Sequence, residues 1–522
     1  MARTDLGLVV SAAFWASACA GAAPVPLPAP APPASSASAL PSAAPTPARE
    51  RPPEAGPARP VPFPEVRRSR LPNGLGLDLI PNHALPIVQL RLVVRSGSAR
   101  DAAKPGLARM TAHMLKDGGA GNLTSRQLID RIESLGADLD VRIGPDSTVL
   151  SLAVTASHFE EALDLLSTVA RAPRWDAVEF RKLRQREVER VSDLARSSGN
   201  WLARMALFRA LYQAKTGTPP YAWPDTTVEQ VRRIALGDCR EFYRQHYTPG
   251  NATLVVAGNI DPDPTSALVA RVLGGWRGPP AGATKYPMPV PIEGLTLVVA
   301  DRPKSTQSDI LVGALGPLRK DASFTRLMVS NQVLGGGVSG RLFLEVREQQ
   351  SLAYSTNSWV EELAHGPVPL VLYAGTQTAK TGLAVQALLQ NVARMGEAPS
   401  AREVEMARRF LVDVFAVRME TIGKVADMVV NLDVLGLPND YYDVYRRELG
   451  TVTAPDVAQV GGTYYRAGHV VVAVAGDARR LGPVLAHFGE VTVVDPLKNF
   501  ERVRVVAPNP AAPLELPAEP LQ

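Results

Sequence analysis

Cysteine and long hydrophobic runs are both scarce in this chain of 522 residues. Its only cysteines are Cys19 and Cys239, which excludes a disulfide framework and a zinc or iron–sulfur site built from cysteines. Beyond the extreme N-terminus no run of eighteen consecutive apolar residues occurs, so we expect no membrane-spanning helix in the body of the protein. The charge is also small: 56 basic and 51 acidic residues are scattered among each other, which argues against nucleic-acid binding.

The remaining composition is that of a folded protein, with 46% apolar and 20% charged residues. The length predicts two or more domains. Proline marks the boundaries, because fifteen prolines fall in residues 20–64 and further proline-rich stretches lie at 278–292 and 501–522. The sequence therefore predicts a disordered tether at 20–64, a domain at 65–277, a linker, a domain at 293–500 and a tail.

The first nineteen residues have the pattern of an export signal. Arg3 precedes an apolar stretch from Leu6 to Ala18, and small residues lead to Cys19, as in the lipobox of bacterial lipoproteins. Two interpretations stay open: lipidation of Cys19, or an ordinary cleaved secretory signal. We expect a periplasmic protein, anchored to the outer membrane through a lipid on Cys19.

The two predicted domains repeat one another. Tyr247 and Gly258 correspond to Tyr465 and Gly476, each pair being 218 residues apart. A constant offset across separate motifs indicates an internal duplication. The same offset joins two acidic residues, Asp238 and Asp456.

The hydrophobic pattern of each copy predicts an α+β fold. Residues 89–94 and 150–154 have strand character, and between them Leu128 and Ile132 share the face of a helix that Thr124 or Ser125 can cap. A second helix follows from Phe159. Strands and helices in this order form a sheet with helices on one face.

Three segments carry a resemblance to a known family. They read LPNGLGLDLI from residue 71, VVRSGSARDAAKPGLARMTAHMLKDGG from 93, and NQVLGGGVSGRLFLEVREQQSLAY from 331. They resemble the pitrilysin/insulinase zinc metallopeptidases, which include the mitochondrial processing peptidase, over residues 68–497. The resemblance implies two homologous α+β domains that enclose a peptide chamber.

Active members carry H-x-x-E-H, in which two histidines bind zinc and the glutamate is the general base. The matching window here is Arg109-Met110-Thr111-Ala112-His113, so the first histidine and the base are missing. The resemblance places a third ligand at Glu187 or Glu189. We expect no metal, no cofactor and no hydrolysis by this chain alone, with His113 a partly buried histidine and both glutamates solvated.

The second copy retains a different family feature. Arg347 and Tyr354 match an Arg/Tyr pair that binds the substrate backbone in the family. Guanidinium and phenol groups can donate to peptide carbonyls without reading side chains. The alternative is that Arg347 pairs with Glu345 or Glu348 and that Tyr354 belongs to the core.

The glycines Gly335, Gly336 and Gly337 resemble the family's glycine-rich substrate loop. The run lacks the G-K-[ST] ending of a phosphate loop, and Arg341 follows it directly, so nucleotide binding is rejected.

Two functional hypotheses follow. The first is a non-catalytic, substrate-binding subunit of a heterodimeric zinc endopeptidase, whose partner carries the zinc and an intact H-x-x-E-H and acts with it on unstructured peptides. The second is a peptide-binding or scaffold protein of the same fold. The sequence leaves open whether an active partner exists and whether the dimer is of like or unlike chains.

Overall fold

The computed structural model describes Gly56 and residues 61–101, 103–215, 219–280, 282 and 286–517. Cys19, the export signal and nearly all of the predicted tether lie outside the described residues. Residues 61–517 belong to one compact unit. No helix within the described residues is long and apolar enough to cross a bilayer.

Two sheets organise this unit, and the strands alternate with helices in the manner of an α+β fold. The described strands are β1 (Arg67–Arg70), β2 (Gly76–Pro81), β3 (Ile87–Val94), β4 (Asp140–Ile143), β5 (Thr148–Thr155), β6 (Ala252–Gly258), β7 (Thr296–Asp301), β8 (Gln307–Leu318), β9 (Ser355–Val360), β10 (Pro367–Gln377), β11 (Val471–Gly476), β12 (Val491–Asp495) and β13 (Glu501–Val506).

Helices connect the strands within each half of the chain. The described α-helices are α1 (Leu107–Asp117), α2 (Ser125–Ser134), α3 (Phe159–Arg171), α4 (Ala177–Ser197), α5 (Gly199–Leu211), α6 (Val228–Arg233), α7 (Leu236–His246), α8 (Pro262–Leu273), α9 (Phe324–Gly335), α10 (Thr381–Ala393), α11 (Ala401–Arg418), α12 (Ile422–Leu435), α13 (Tyr441–Thr451), α14 (Ala454–Tyr464) and α15 (Ala478–Leu485). One π-helix spans Leu342–Gln349.

The duplication is visible in the strand order. The N-terminal sheet runs β1-β2-β6-β3-β5-β4 and the C-terminal sheet runs β13-β12-β7-β11-β8-β10-β9. Five strands correspond one to one, and in both sheets the equivalent pairs β2/β6 and β7/β11 are parallel while the strands that follow them are antiparallel. The α+β class with two homologous halves is confirmed.

The repeated sequence motifs occupy equivalent places. Asp238 and Asp456 each accept a 2.9 Å hydrogen bond from the backbone N–H three residues earlier, at the start of α7 and of α14. Tyr247 is the C-cap residue of α7, and Tyr465 is the C-cap residue of the equivalent helix α14. In each half a buried central strand follows, β6 in the first and β11 in the second. The repeat therefore preserves the residues that begin and end one helix.

Each sheet is covered on one face by helices of its own half and on the other by a helix of the opposite half. Leu202 and Leu207 of α5 pack in one cluster with Leu311 and Val471 of the C-terminal sheet. In return, residues of α12 pack on the N-terminal sheet, where Arg91 donates a 2.9 Å hydrogen bond to Asp427. The two halves are therefore interlocked by exchanged helices.

Two predicted boundaries differ from the structure. The tail assigned to 501–522 begins instead as strand β13, which pairs with β12 at the edge of the C-terminal sheet. The last residues of the tether also pack, since the Phe63 ring lies 4.9 Å from that of Tyr442. The proline content of these segments does not predict either contact, because the first depends on backbone pairing of β13 with β12 and the second on the ring of Phe63.

Candidate functional site

Helix α1, which carries the altered zinc motif, is fixed at its start by a buried carboxylate. Asp101 accepts hydrogen bonds from the backbone N–H groups of Gly106 (2.7 Å) and Ala108 (2.6 Å). Burial raises the pKa of Asp101 to about 7, although these two hydrogen bonds act in the opposite direction. Gly106 has φ +95°, a left-handed conformation that favours glycine. The turn therefore sets the direction in which α1 enters the site.

The side chain of Arg109 is bound to α4. Its Nε donates to Glu187 Oε2 at 3.0 Å, and the same oxygen accepts from Nε of Arg190 at 2.8 Å. Arg190 continues the chain by a two-pronged contact with Asp225, both distances being 2.9 Å, and Asp225 also accepts from Trp201 Nε1 at 2.9 Å. Two guanidinium groups and two carboxylates thus alternate across α1, α4 and the loop before α6.

The charges of this cluster stabilise one another. Burial raises the pKa of Glu187, but Arg109 and Arg190 outweigh it, so the pKa lies below its usual range. The pKa of Asp225 is likewise lowered, because its hydrogen bonds and its charge pairing with Arg190 outweigh burial. All four groups are therefore charged at neutral pH, and their formal charges sum to zero.

His113 lies one helical turn beyond Arg109 on α1. Its Nε2 is buried and has no hydrogen-bond partner among the described residues. Burial first, and then the nearby Arg109 guanidinium, lower the pKa of His113 to about 4. The imidazole is therefore neutral at physiological pH.

These residues do not fit a catalytic zinc ion. Such a site needs three protein ligands and one open position. In this chain Arg109 stands where the first histidine would be, and it already binds the oxygen of Glu187 that a metal would use. Ala112 offers no general base. Within the described residues no group of three histidine, cysteine, aspartate or glutamate side chains is placed to hold a metal.

The expectation that Glu187 is solvated is wrong, whereas Glu189 is exposed as expected. Glu187 faces α1 because it lies on the side of α4 that packs against it, while Glu189 accepts from Gln185 on the outer side. The sequence of α4 is charged on all sides, so it does not indicate which glutamate faces α1. Sequence reasoning also missed Asp225 and Trp201, for which the sequence carries no local signal.

The site in the C-terminal half is built on the π-helix. This helix type is rare and is often found at functional sites. Arg347 lies in its last turn, where its guanidinium is 4.7 Å from the ring centroid of Phe343 and 5.5 Å from that of Tyr354. Tyr354 is 84% exposed, and its hydroxyl has no partner within the described residues. The guanidinium and the phenol therefore lie together at the surface.

The alternative for this pair was that Arg347 binds Glu345 or Glu348 and that Tyr354 belongs to the core, and only its first part agrees with the structure. Glu345 binds Arg394 instead of Arg347. Glu348 is 3.5 Å from Nε of Arg347, and both side chains are partly exposed. The alternative that Tyr354 belongs to the core is wrong.

The glycines lie where the chain passes from α9 to the π-helix. A Cβ at Gly335 would approach Ser358 N to 2.9 Å, and one at Gly340 would approach the Gly335 Cα to 2.8 Å. Glycine is required at these two positions because the turn packs against its own backbone and against that of β9. At Gly337 a Cβ would meet only the Gln332 side chain, at 3.4 Å, so packing does not explain that glycine.

Strand β9 begins directly after Tyr354 and lies at the edge of its sheet. Its outer side has no paired strand within the described residues. An extended peptide can add to such an edge. At the middle of this one, Asn331 of α9 already donates to the Ser358 carbonyl at 3.4 Å, so only the ends of the strand remain for a peptide.

Two family models match the chain in consecutive segments. The insulinase model (peptidase family M16) matches residues 79–222, and the model of the M16 inactive domain matches residues 233–411. Together they span more than half of the chain. The chain belongs to the insulinase family of peptidases, family M16. The resemblance drawn from the sequence is thus confirmed.

Among the curated relatives of this family member, some are named zinc proteases and one is named a non-peptidase homolog. An uncharacterized zinc protease of Mycobacterium leprae is 28% identical over 309 residues, which is 57% of this chain and 66% of that protein. The non-peptidase homolog YmxG of Helicobacter pylori is 23% identical over 385 residues, covering 72% of this chain and 86% of that protein.

Solved structures agree on the fold. An M16 inactive domain from Pseudomonas fluorescens superposes with a TM-score of 0.73 at 23% identity, covering 79% of this chain and 98% of that one. A protease from Helicobacter pylori gives 0.71 at 17% identity, covering 79% and 99%.

Proposed function

We propose that this family member is the non-catalytic, substrate-binding subunit of a two-chain zinc endopeptidase acting on unstructured peptides. The zinc and the general base would belong to a partner chain with an intact H-x-x-E-H. The observation that carries the proposal is the contrast between the closed ion-pair cluster around Arg109 and the exposed pair Arg347 and Tyr354.

The exposed pair has the chemistry to hold a peptide. Arg347 keeps nitrogen donors beyond the Nε that faces Glu348, and the Tyr354 hydroxyl is unoccupied within the described residues. Tyr354 directly precedes the edge strand β9, so an extended peptide could meet both donors at the start of that strand. This arrangement recognises backbone rather than side chains, which suits unstructured substrates.

The test is turnover by the assembled pair of chains. A charge-assisted hydrogen bond contributes roughly 1.5–3 kcal/mol, and about 1.4 kcal/mol corresponds to tenfold. Arg347→Ala is therefore expected to lower turnover about ten- to a hundredfold, and Tyr354→Phe, which removes only the hydroxyl, by a smaller factor. Subunit association and melting temperature should stay unchanged.

Arg126→Ala serves as the matched control, since that arginine is 85% exposed and, within the described residues, pairs with Asp130 one turn away. Full activity of both site variants with the partner would contradict the substrate-binding role. That outcome, or the failure of any H-x-x-E-H chain to pair with this one, would favour the scaffold hypothesis.

The proposal places the protein in the periplasm, held to the outer membrane by lipidated Cys19. Cys19→Ala should move the protein from the membrane to the soluble fraction, because several acyl chains are needed for stable attachment. Equal partitioning of the two forms would exclude the lipid anchor and leave a cleaved secretory signal.

A further inference from the structure

A cleft of about 300 Å³ lies where segments from both halves meet, and none of its lining residues belongs to the sites described above. Its walls are tyrosine, histidine and proline rings. They come from three segments: Tyr212 with 220–221, then 286–289, then 364–367.

Two of the three wall hydroxyls, those of Tyr212 and Tyr221, are bound to the protein rather than directed at a ligand. Tyr212 donates to the carbonyl of Pro367 at 2.8 Å, and Tyr221 donates to the buried carboxylate of Asp146 at 2.7 Å. The Asp146 carboxylate also accepts from the N–H of Ala364 at 2.8 Å. These bonds fix the rings in place, and the 5.5 Å edge-to-face contact of Tyr212 with Tyr221 orients them further. Tyr212 and Tyr221 are only 1% and 4% exposed, so they form a fixed base, and the rings that a ligand can reach are those of Tyr286 and His365, whose centroids lie 4.8 Å apart.

Three polar groups beside the cleft remain available. The Tyr286 hydroxyl has no hydrogen-bond partner within the described residues, and the nearest partner of the His365 imidazole is Asp146, at 4.0 Å. The Arg100 guanidinium lies 5.6 Å from the Tyr286 ring centroid and has no acidic partner in the described part of the chain. Burial lowers the pKa of His365, the Asp146 carboxylate acts in the opposite direction, and the positive charges of Arg100 and Lys320 lower it further. Two cations and one buried carboxylate thus lie near the cleft, and Tyr286, His365 and Arg100 supply donors for carbonyl and carboxylate oxygens.

We propose that this cleft binds an extended, proline-rich peptide carrying an acidic residue. The accessible rings of Tyr286 and His365 offer faces to the flat rings of a polyproline II helix, which loses little entropy on binding because it is already extended. Tyr286 and His365 would donate to peptide carbonyls, and Arg100 would pair with the acidic side chain. The cleft is then a peptide site separate from the Arg347/Tyr354 pair, and it does not depend on the proposed endopeptidase role.

The probe is a blocked synthetic peptide of sequence EPPAPP, titrated into the full chain by calorimetry. Two control peptides replace every proline by alanine or the glutamate by glutamine. We expect measurable binding of EPPAPP, at least tenfold weaker binding of the alanine peptide, and a severalfold loss for the glutamine peptide that disappears at high salt.

Variants of the cleft locate the site. Tyr286→Phe removes one hydroxyl and His365→Ala one half-exposed ring, and each should weaken binding about three- to tenfold without lowering the melting temperature. Arg100→Gln should abolish the difference between the glutamate and glutamine peptides. Arg126→Ala, at an 85% exposed position outside both sites, is the control that leaves binding unchanged.

Absence of binding at millimolar peptide, equal affinity of the proline and alanine peptides, or unchanged affinity in all three cleft variants would each overturn the proposal. Retained binding to the Arg347→Ala variant together with lost turnover would separate this cleft from the proposed substrate site.

Discussion

The two halves share one arrangement of strands and helices, but the site residues of the first are paired with one another and those of the second are exposed to solvent. In the N-terminal half, α1 and α4 are joined by a chain of four charged side chains in which both carboxylates, Glu187 and Asp225, are ion-paired. In the C-terminal half, the π-helix and the residue before β9 present Arg347 and Tyr354 to solvent. Duplication therefore preserves strand order and helix caps, while the residues on the helices decide whether a site is closed or open.

The largest expected effect is a gain of metal in the closed site. The native chain should hold well under one zinc per molecule. Arg109→His with Ala112→Glu should raise this toward one, because Glu187 Oε2 lies only 3.0 Å from the Arg109 Nε. Metal content after dialysis is the measurement.

Adding Glu187→Gln to that double variant should abolish zinc binding, whereas adding Glu189→Gln should leave it unchanged. Stoichiometric zinc in the native protein, or an equal effect of the two glutamates, would show that the ligand assignment is wrong.

The next effect is on stability. Arg190→Met leaves the buried charges of Glu187 and Asp225 without their shared partner, and should lower the free energy of unfolding by about 3 kcal/mol. Urea denaturation measures it. Arg126→Met, at an 85% exposed position, should cost less than about 0.5 kcal/mol. Similar losses in both variants would mean that the cluster is not what holds α1 and α4 together.

A smaller effect concerns pH. The folded pKa of His113 is about 4, below its unfolded value, so the unfolded chain binds more protons between about pH 6.5 and 4. Stability from this group is complete above that window and is lost as the pH falls through it, by roughly 2–3 kcal/mol at most. His113→Phe should flatten the decline.

Part of the slope should persist in that variant, because burial also lowers the pKa of His246 to about 4. His83→Phe, at an exposed position, is the control. An unchanged pH profile in His113→Phe would contradict the buried neutral imidazole.

The smallest effect belongs to the open site. Arg347→Ala and Tyr354→Phe should change the free energy of unfolding by less than about 0.5 kcal/mol, since both side chains face solvent. Paired urea curves test this. A loss as large as that of Arg190→Met would remove the contrast between the two halves.

Local features were predictable from sequence where the cause is local. Thr124 caps α2 with a reciprocal Gln127 contact, and β3 and β5 include the predicted strand residues. The role of Glu187 was not predictable, because it depends on Arg109 from a helix 78 residues earlier. The exchange of α5 and α12 was not predictable for the same reason, since each helix packs on a sheet formed by residues far away in the sequence.

The exchanged helices also determine the order in which the chain can fold during synthesis. The N-terminal sheet is complete once β6 has been made, yet its second face stays uncovered until α12 emerges from residue 422 onward. Until then Val93, Val255 and Ala257 have no covering helix. Such delayed long-range contacts slow folding and expose apolar surface to aggregation. A chain truncated before Ile422 should therefore be bound by chaperones through this face, whereas the full chain should not.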